Sequence, residues 1–265
     1  MSSFTPPPPA PAPANAPLSP EPEQPGLSEP ARLINVFIAP RKTFEDLKRN
    51  SSWWAPWLLG AIIALAFGVV VAQKIDMVRL TRQQIEQSRL AQRQMEQLPP
   101  EQQEQQIRIR ATGTKIAFYV SPIFSLIGGL ILAAILMAVF NFGFAAEIPF
   151  QRALAIVFYS FLPRAVYAAL VAVSLLLSSD PNSIDITVNP MPTNPGFFMD
   201  PQGNKFLYSL ISNLDLFALW SVVLLGLGFA AASSNRKLSA RTGITTMLVI
   251  YAVVILIGAG FKAAL

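Results

Sequence analysis

Five long apolar segments, separated by polar residues, dominate the pattern of this 265-residue chain. They are residues 54–72, 116–146, 153–177, 207–232 and 244–261. Three of them contain no charged side chain, the third contains Arg164, and the fourth contains Asp215. Crossing the hydrocarbon core of a membrane takes about 20 apolar residues in a helix. Because helices buried in soluble proteins rarely stay apolar for so long, the pattern predicts an all-α polytopic membrane bundle of about five transmembrane helices.

The chain before the first apolar segment has two parts. Residues 1–30 are largely Pro, Ala, Ser and Glu without an apolar run, so they predict a disordered, Pro-rich tail. The membrane domain is expected to occupy residues 31–265. Its first part, residues 32–53, is short, basic and amphipathic, and a cluster of tryptophans begins at Trp53. Such a segment is typical of the approach to a membrane interface.

Basic residues in the short loops predict the orientation and the candidate contacts with lipid headgroups. The candidate headgroup contacts are Arg41, Lys42, Lys48, Arg49, Arg236, Lys237 and Arg241. Lys and Arg are enriched in short cytoplasmic loops, and the loop at 178–206 carries only Lys205. With five spans, this places the N-terminus in the cytoplasm and the C-terminus outside. Residues 73–115 oppose this orientation, because they would lie outside and yet hold eight basic residues.

The long polar loop, residues 73–115, is rich in glutamine and predicts helices outside the membrane. Residues 76–98 contain neither Gly nor Pro and are rich in good helix formers. Pro99 and Pro100 interrupt this helix, and residues 101–110 can begin another, which gives a helical hairpin. A solvated pair of helices and a hairpin that binds a partner both fit the pattern.

The composition excludes several kinds of chemistry. The chain has no cysteine and no histidine, so thiol nucleophiles, disulfides and imidazole bases are absent and zinc sites are disfavoured. Motifs of P-loop enzymes, serine hydrolases and zinc proteases are also missing. No catalytic residue, cofactor or metal site is predicted. The net charge is +5, and since the basic residues flank apolar runs, they favour a membrane surface over nucleic acid.

Arg164 and Asp215 are the two charged residues deep within apolar segments. A charge in the hydrocarbon core costs roughly 2.5–3.5 kcal/mol on insertion scales, and such residues usually pair or line a cavity. At 1.5 Å per residue, Arg164 lies roughly 17 Å from the inner end of its segment and Asp215 roughly 12 Å from the outer end of its own. In a core about 30 Å thick these depths nearly coincide. We therefore predict an ion pair between the third and fourth spans, either fixing their register or lining a polar path.

Small residues recur at every fourth position of the first apolar segment. The stripe consists of Gly60, Ala64, Gly68 and Ala72, and Gly226 and Gly228 contribute similar spacings to the fourth segment. Such stripes allow helices to approach closely. They predict tight packing, either within one chain or in a homo-oligomer.

Several short motifs, in order, resemble one membrane-protein family. Residues 37–44 (FIAPRKTF) and 53–56 (WWAP) precede the first span, residues 159–163 (YSFLP) lie in the third, and residues 215–220 (DLFALW) open the fourth. Their order and spacing resemble bacterial members of the Ypt-interacting protein (YIP) family of five-span membrane proteins, over roughly residues 32–261. The resemblance implies a five-helix bundle with a cytoplasmic N-terminus. Eukaryotic relatives act as membrane adaptors that engage prenylated Rab-type GTPases.

Together, these observations predict a non-enzymatic membrane adaptor or organiser in a bacterial plasma membrane. Its expected partners are the lipid bilayer and other membrane or cytoplasmic proteins. The alternative is a small transporter or lipid-handling protein that uses Arg164 and Asp215 in a polar intramembrane path.

Overall fold

The computed structural model describes residues 26–184, 186, 189–201, 203–235 and 237–264, which form helices and connecting turns without a strand. The α-helices are α1 (Glu29–Ile38), α2 (Pro40–Asp46), α3 (Trp54–Lys74), α4 (Met77–Gln87), α5 (Arg89–Glu96), α6 (Pro100–Phe144), α7 (Phe150–Ser160), α8 (Leu162–Leu177), α9 (Lys205–Ser212), α10 (Leu216–Ala232) and α11 (Ala240–Ala264). The all-α prediction is confirmed. The predicted tail falls mostly outside the described residues, and α1 begins at Glu29, just inside its predicted end.

Four stretches of helix are long and apolar enough to cross a membrane, and a bent pair makes a fifth. The four are α3, α6, the combined α7–α8 stretch Phe150–Leu177, and Ala240–Lys262 within α11. The fifth combines α9 and α10, which meet at a 57° bend. The prediction of about five spans is therefore confirmed. The fourth segment differs from the straight span expected, since Asp215 ends the break and caps α10.

Hydrogen bonds between distant segments show which helix ends lie together. The guanidinium of Arg152, near the start of α7, donates to the carbonyl oxygens of Lys48 and Ala232, at 3.4 Å each. The side-chain amide of Asn235, just before α11, donates to the carbonyl of Phe144 at the end of α6 (2.7 Å). These contacts place α1 and α2 at one end of the bundle, here called the α1–α2 end. The C-terminal ends of α6 and α10 and the N-terminal ends of α7 and α11 lie there too.

The opposite end, here called the hairpin end, carries α4 and α5. The backbone N–H of Asp76, after α3, donates to Asn182, after α8 (2.9 Å). Each span runs from one of these ends to the other, so successive spans alternate in direction. The spans are α3, α6, α7–α8, α9–α10 and α11.

The predicted helical hairpin is present. Its first helix, predicted over residues 76–98, is divided at Ser88 into α4 and α5, and its second helix continues into a span as α6. Ile85, Met95 and Ile107 form a small apolar core between α4, α5 and the first turns of α6. An ion pair between Arg82 and Glu104 (2.5 Å) joins α4 to α6. Since α6 has 45 residues, it is roughly 68 Å long and extends well beyond a membrane core of about 30 Å.

Pro122 lies inside α6 without ending it. Proline has no N–H, so the carbonyl of Phe118, one turn earlier, loses its helical donor. The hydroxyl of Ser121 donates to that carbonyl at 2.8 Å. A neighbouring side chain thus satisfies the polar group that the proline frees, as membrane helices require.

The α7 helix is the centre of the core. All its residues from Ala153 to Ser160 are buried, against α6, α10 and the two N-terminal helices. Close approach depends on glycine at two positions of α10. A Cβ atom on Gly226 would lie 2.5 Å from Cα of Ile244 in α11, and one on Gly228 would lie 2.6 Å from Ile156 in α7.

The N-terminal helices pack on the bundle through several apolar side chains. Val36, Phe44 and Leu47 are fully buried in the same core as α7 and α10. The sequence predicted a short amphipathic segment at the membrane interface. Part of its apolar surface is covered by protein, whereas Ile34 and Ile38 of α1 are exposed.

Candidate functional site

A buried cluster of charged side chains fixes α1 and α2 to the bundle. Arg32 in α1 is only 2% exposed. Its Nη2 and Nε lie 2.6 and 2.7 Å from Oδ2 of Asp46 in α2, and its Nη1 lies 3.2 Å from Oε1 of Glu29. The other oxygen of Glu29 accepts a hydrogen bond from the hydroxyl of Tyr159 in α7 (2.9 Å). One guanidinium, two carboxylates and one phenol thereby join three helices.

Local sequence builds this cluster. Ser28 caps α1 by accepting from the N–H of Ala31 (3.4 Å), which starts the helix at Glu29. Glu29 and Arg32 are then three residues apart and face the same way. Ala39 separates α1 from α2, and the short second helix brings Asp46 back over Arg32. The sequence analysis missed this cluster, although the Glu29–Arg32 spacing was its one visible signal.

The predicted headgroup contacts lie around the same end of the bundle. Arg41, Lys42, Lys48, Arg49, Lys237 and Arg241 are all exposed, while Arg236 lies outside the described residues. Arg41 pairs with Glu45 at 2.7 Å. The bonds of Arg152 to Lys48 and Ala232 bring the turn after α2 next to the loop before α11. The basic residues of the two segments therefore lie at the same end of the bundle, and their contact with lipid remains a prediction.

The ion pair predicted between Arg164 and Asp215 is not formed. Oδ1 of Asp215 accepts from the N–H groups of Phe217 and Ala218, at 3.0 Å each, and Oδ2 accepts from the hydroxyl of Thr193. The positive end of the α10 dipole and these donors stabilise the carboxylate without a cation. The depth estimate assumed a continuous fourth helix and could not place a cap within it.

Arg164 lies near the middle of the third span with an exposed side chain. Throughout the described part of the chain, its guanidinium makes no hydrogen bond or ion pair.

A groove of about 470 Å³ opens between α3, α6 and the α7–α8 junction. Its walls are almost entirely apolar or small, and Arg164 is the one charged residue among those lining it. The four residues of the predicted small-residue stripe lie in different environments. Gly60 and Ala64 line the groove, whereas a Cβ on Gly68 would touch the backbone of Phe118 in α6 at 3.2 Å. Ala72, at the end of the stripe, is partly buried.

Among the described residues, no three acidic side chains come close enough to hold a metal ion. The two charged features are instead a salt-bridged cluster at the α1–α2 end and a single cation in an apolar groove.

The alternating apolar helices, the capped break in the fourth span and the docked N-terminal helices define a polytopic helical membrane protein. A family model, the Yip1 domain, matches residues 34–261. Because this match covers most of the sequence, the chain belongs to the Yip1 domain family. The resemblance drawn from its short motifs is thereby confirmed. No curated protein and no solved structure matches the chain significantly.

Proposed function

We propose that this protein is a non-enzymatic membrane adaptor or organiser of a bacterial plasma membrane, with its N-terminus in the cytoplasm. The observation that carries the proposal is the α1–α2 end, where a buried ion-pair cluster holds two helices in place and leaves basic residues exposed. A surface fixed in this way is suited to binding a partner, because little conformational entropy is lost when it docks. The Yip1 family membership supports a role in organising other membrane components.

The proposed orientation follows from the same end of the bundle. Lys42, Lys48, Lys237 and Arg241 would face the cytoplasm and the anionic leaflet, as the positive-inside rule favours. The basic residues of the hairpin then lie outside. A single cysteine at Asn182 or Ser234, introduced into this cysteine-free chain, tests this assignment. Labelling from outside at Asn182 alone supports it, and labelling at Ser234 alone contradicts it.

Cross-linking in native membranes, followed by mass spectrometry, tests the adaptor function. The informative variant reverses two exposed charges, Lys42→Glu with Lys48→Glu. The control reverses two exposed lysines toward the hairpin end, Lys74→Glu with Lys115→Glu. We expect a reproducible protein partner that disappears in the first variant and persists in the second. The proposal fails if no partner is found, or if both variants retain it equally.

A second candidate function, a small transporter or lipid-handling protein, draws support from the groove beside Arg164. A path using both charges is poorly supported, because the carboxylate of Asp215 is occupied by the start of α10 and by Thr193. Flux of lipid or ions in reconstituted vesicles tests this function. Flux lost on Arg164→Gln and kept on Asp215→Asn would favour lipid handling at the groove alone.

A further inference from the structure

We propose that the groove between α3, α6 and the α7–α8 junction binds an anionic phospholipid, with one acyl chain along the groove and the phosphate paired with Arg164. This site goes beyond the adaptor function and does not depend on it.

The groove has an open side and a tightly packed floor. A Cβ atom added to Gly60 in α3 or Gly128 in α6 would meet no atom within 4 Å. The floor is tightly packed, since a Cβ on Gly129 would lie 2.6 Å from the ring of Phe158. Its volume of about 470 Å³ lies within the range of ligand-binding pockets, roughly 300–1,000 Å³.

The groove is lined mostly by apolar side chains, which favour an apolar ligand such as the acyl chain of a lipid. The lining includes Trp57, Ile63, Phe161, Leu162 and Ala165. The hydroxyl of Ser125, which also lines the groove, already donates to the carbonyl of Pro122 (2.8 Å). Because the groove lies between membrane spans, acyl chains of the surrounding bilayer are the apolar groups available to fill it.

Arg164, the one charged residue that lines the groove, favours a lipid with an anionic headgroup. Within the described residues the guanidinium of Arg164 makes no hydrogen bond or ion pair. The residue lies near the middle of a span, and its long side chain can extend towards the interface, where lipid phosphates lie. A charge in that position usually pairs or meets a polar cavity. A phosphodiester is the anion that phospholipids carry, and guanidinium binds phosphate through short, charge-assisted hydrogen bonds. The exposed basic residues of the α1–α2 end would also concentrate anionic lipid nearby.

A second copy of this chain fits the groove less well. Asp215 is the single acidic residue in the five apolar segments, and its oxygens are already bound at the start of α10. A helix from another copy would therefore cover the groove but leave Arg164 without a counter-ion. The charge complementarity favours a lipid.

Photo-cross-linking tests the proposal. The full chain is reconstituted in phosphatidylcholine nanodiscs containing a minority of phosphatidylglycerol with a photoreactive acyl chain. Mass spectrometry then locates the labelled peptides. We expect labelling concentrated on the segments that contain Gly60 and Gly128. An otherwise identical phosphatidylcholine probe carries the same phosphodiester, but its choline cation offsets the net charge, so it should label those segments about two- to fivefold less.

Two variants separate the groove from its charge. Gly60→Leu fills the groove while keeping the cation, and Arg164→Gln removes the cation while keeping the groove. Each should lower phosphatidylglycerol labelling at least about tenfold, and Arg164→Lys should restore part of it. Gly258→Leu is the matched control, because Gly258 in α11 also faces open space and lies outside the groove lining. If Arg164→Gln does not fold, the Gly60→Leu and Gly258→Leu pair decides the question.

Three outcomes would overturn the proposal. Labelling spread evenly over the apolar surface and unchanged in Gly60→Leu would mean non-specific annular lipid. Labelling abolished by added inorganic phosphate would mean an anion site without acyl-chain recognition. Cross-links between two copies at the groove would mean a protein interface.

The lipid site and the adaptor function can be tested separately. A variant that loses lipid labelling but keeps its cross-links to a protein partner would show that the two are independent.

Discussion

Replacing Arg32 should release the N-terminal helices from the bundle. In Arg32→Met the carboxylates of Asp46 and Glu29 lose their shared cation while staying largely covered by α1, α2 and α7. Removing one partner of a buried ion pair usually costs about 3–5 kcal/mol, because an uncompensated charge is left behind. At about 1.4 kcal/mol per factor of ten, the open form of α1–α2 should become roughly 100- to 5,000-fold more populated.

Thiol labelling measures this opening directly in a chain without cysteine. Val36 is fully buried in α1, so Val36→Cys should react with a maleimide only when the helix opens locally. We expect its labelling rate to rise by two to three orders of magnitude in the Arg32→Met background.

Arg41→Met provides the matched control, because the Arg41–Glu45 pair is exposed and such pairs contribute about 0–1 kcal/mol. That variant should change the labelling rate less than about fivefold. Equal rates in the two backgrounds would refute the idea that the buried cluster holds α1 and α2 in place.

Three further predictions concern helix packing and capping. Gly226→Ala should destabilise the bundle by about 1–3 kcal/mol in a thermal or denaturant titration, since its Cβ would overlap α11, whereas Gly258→Ala in open space should not. Asp215→Ala should cost about 0.5–2 kcal/mol and speed hydrogen exchange in the first turn of α10, while Asp215→Asn keeps most of the cap. Ser121→Ala should cost about 0.6 kcal/mol by leaving the carbonyl of Phe118 without a donor, and an unchanged stability would show that another group satisfies it.

The spans were predictable because their signal is long and physically simple. An uncharged run of about 20 residues has few soluble alternatives, so the apolar parts of α3, α6 and α11 follow from hydropathy alone. The continuity of α6 from the hairpin into the span was not predicted. The hairpin followed from Pro99 and Pro100 between stretches of good helix formers. In each case hydropathy or helix propensity within one segment predicts the same element that the fold contains.

The charged features were harder to predict, because their meaning depends on three-dimensional neighbours. Asp215 sits in an apolar run, so composition suggested a mid-membrane charge, whereas the structure ends a helix before it and begins another after it. Arg32 resembles the other basic residues of the N-terminal segment in sequence. Only the fold of α2 back over α1 distinguishes it as buried. The groove depends on the relative placement of three helices, which no single segment encodes.

The uninterrupted helix α6 joins the hairpin on one side of the bundle to the core around Phe140 on the other. A rod roughly 68 Å long acts as a lever: a change in tilt of about 5° about one end moves the other by about 6 Å. Pro122 and Gly129 lie along it, and the helix continues through both. If α6 tilts as one piece, a change in its inclination, including one caused by the thickness of the surrounding bilayer, would displace the opposite side without any helix having to unfold.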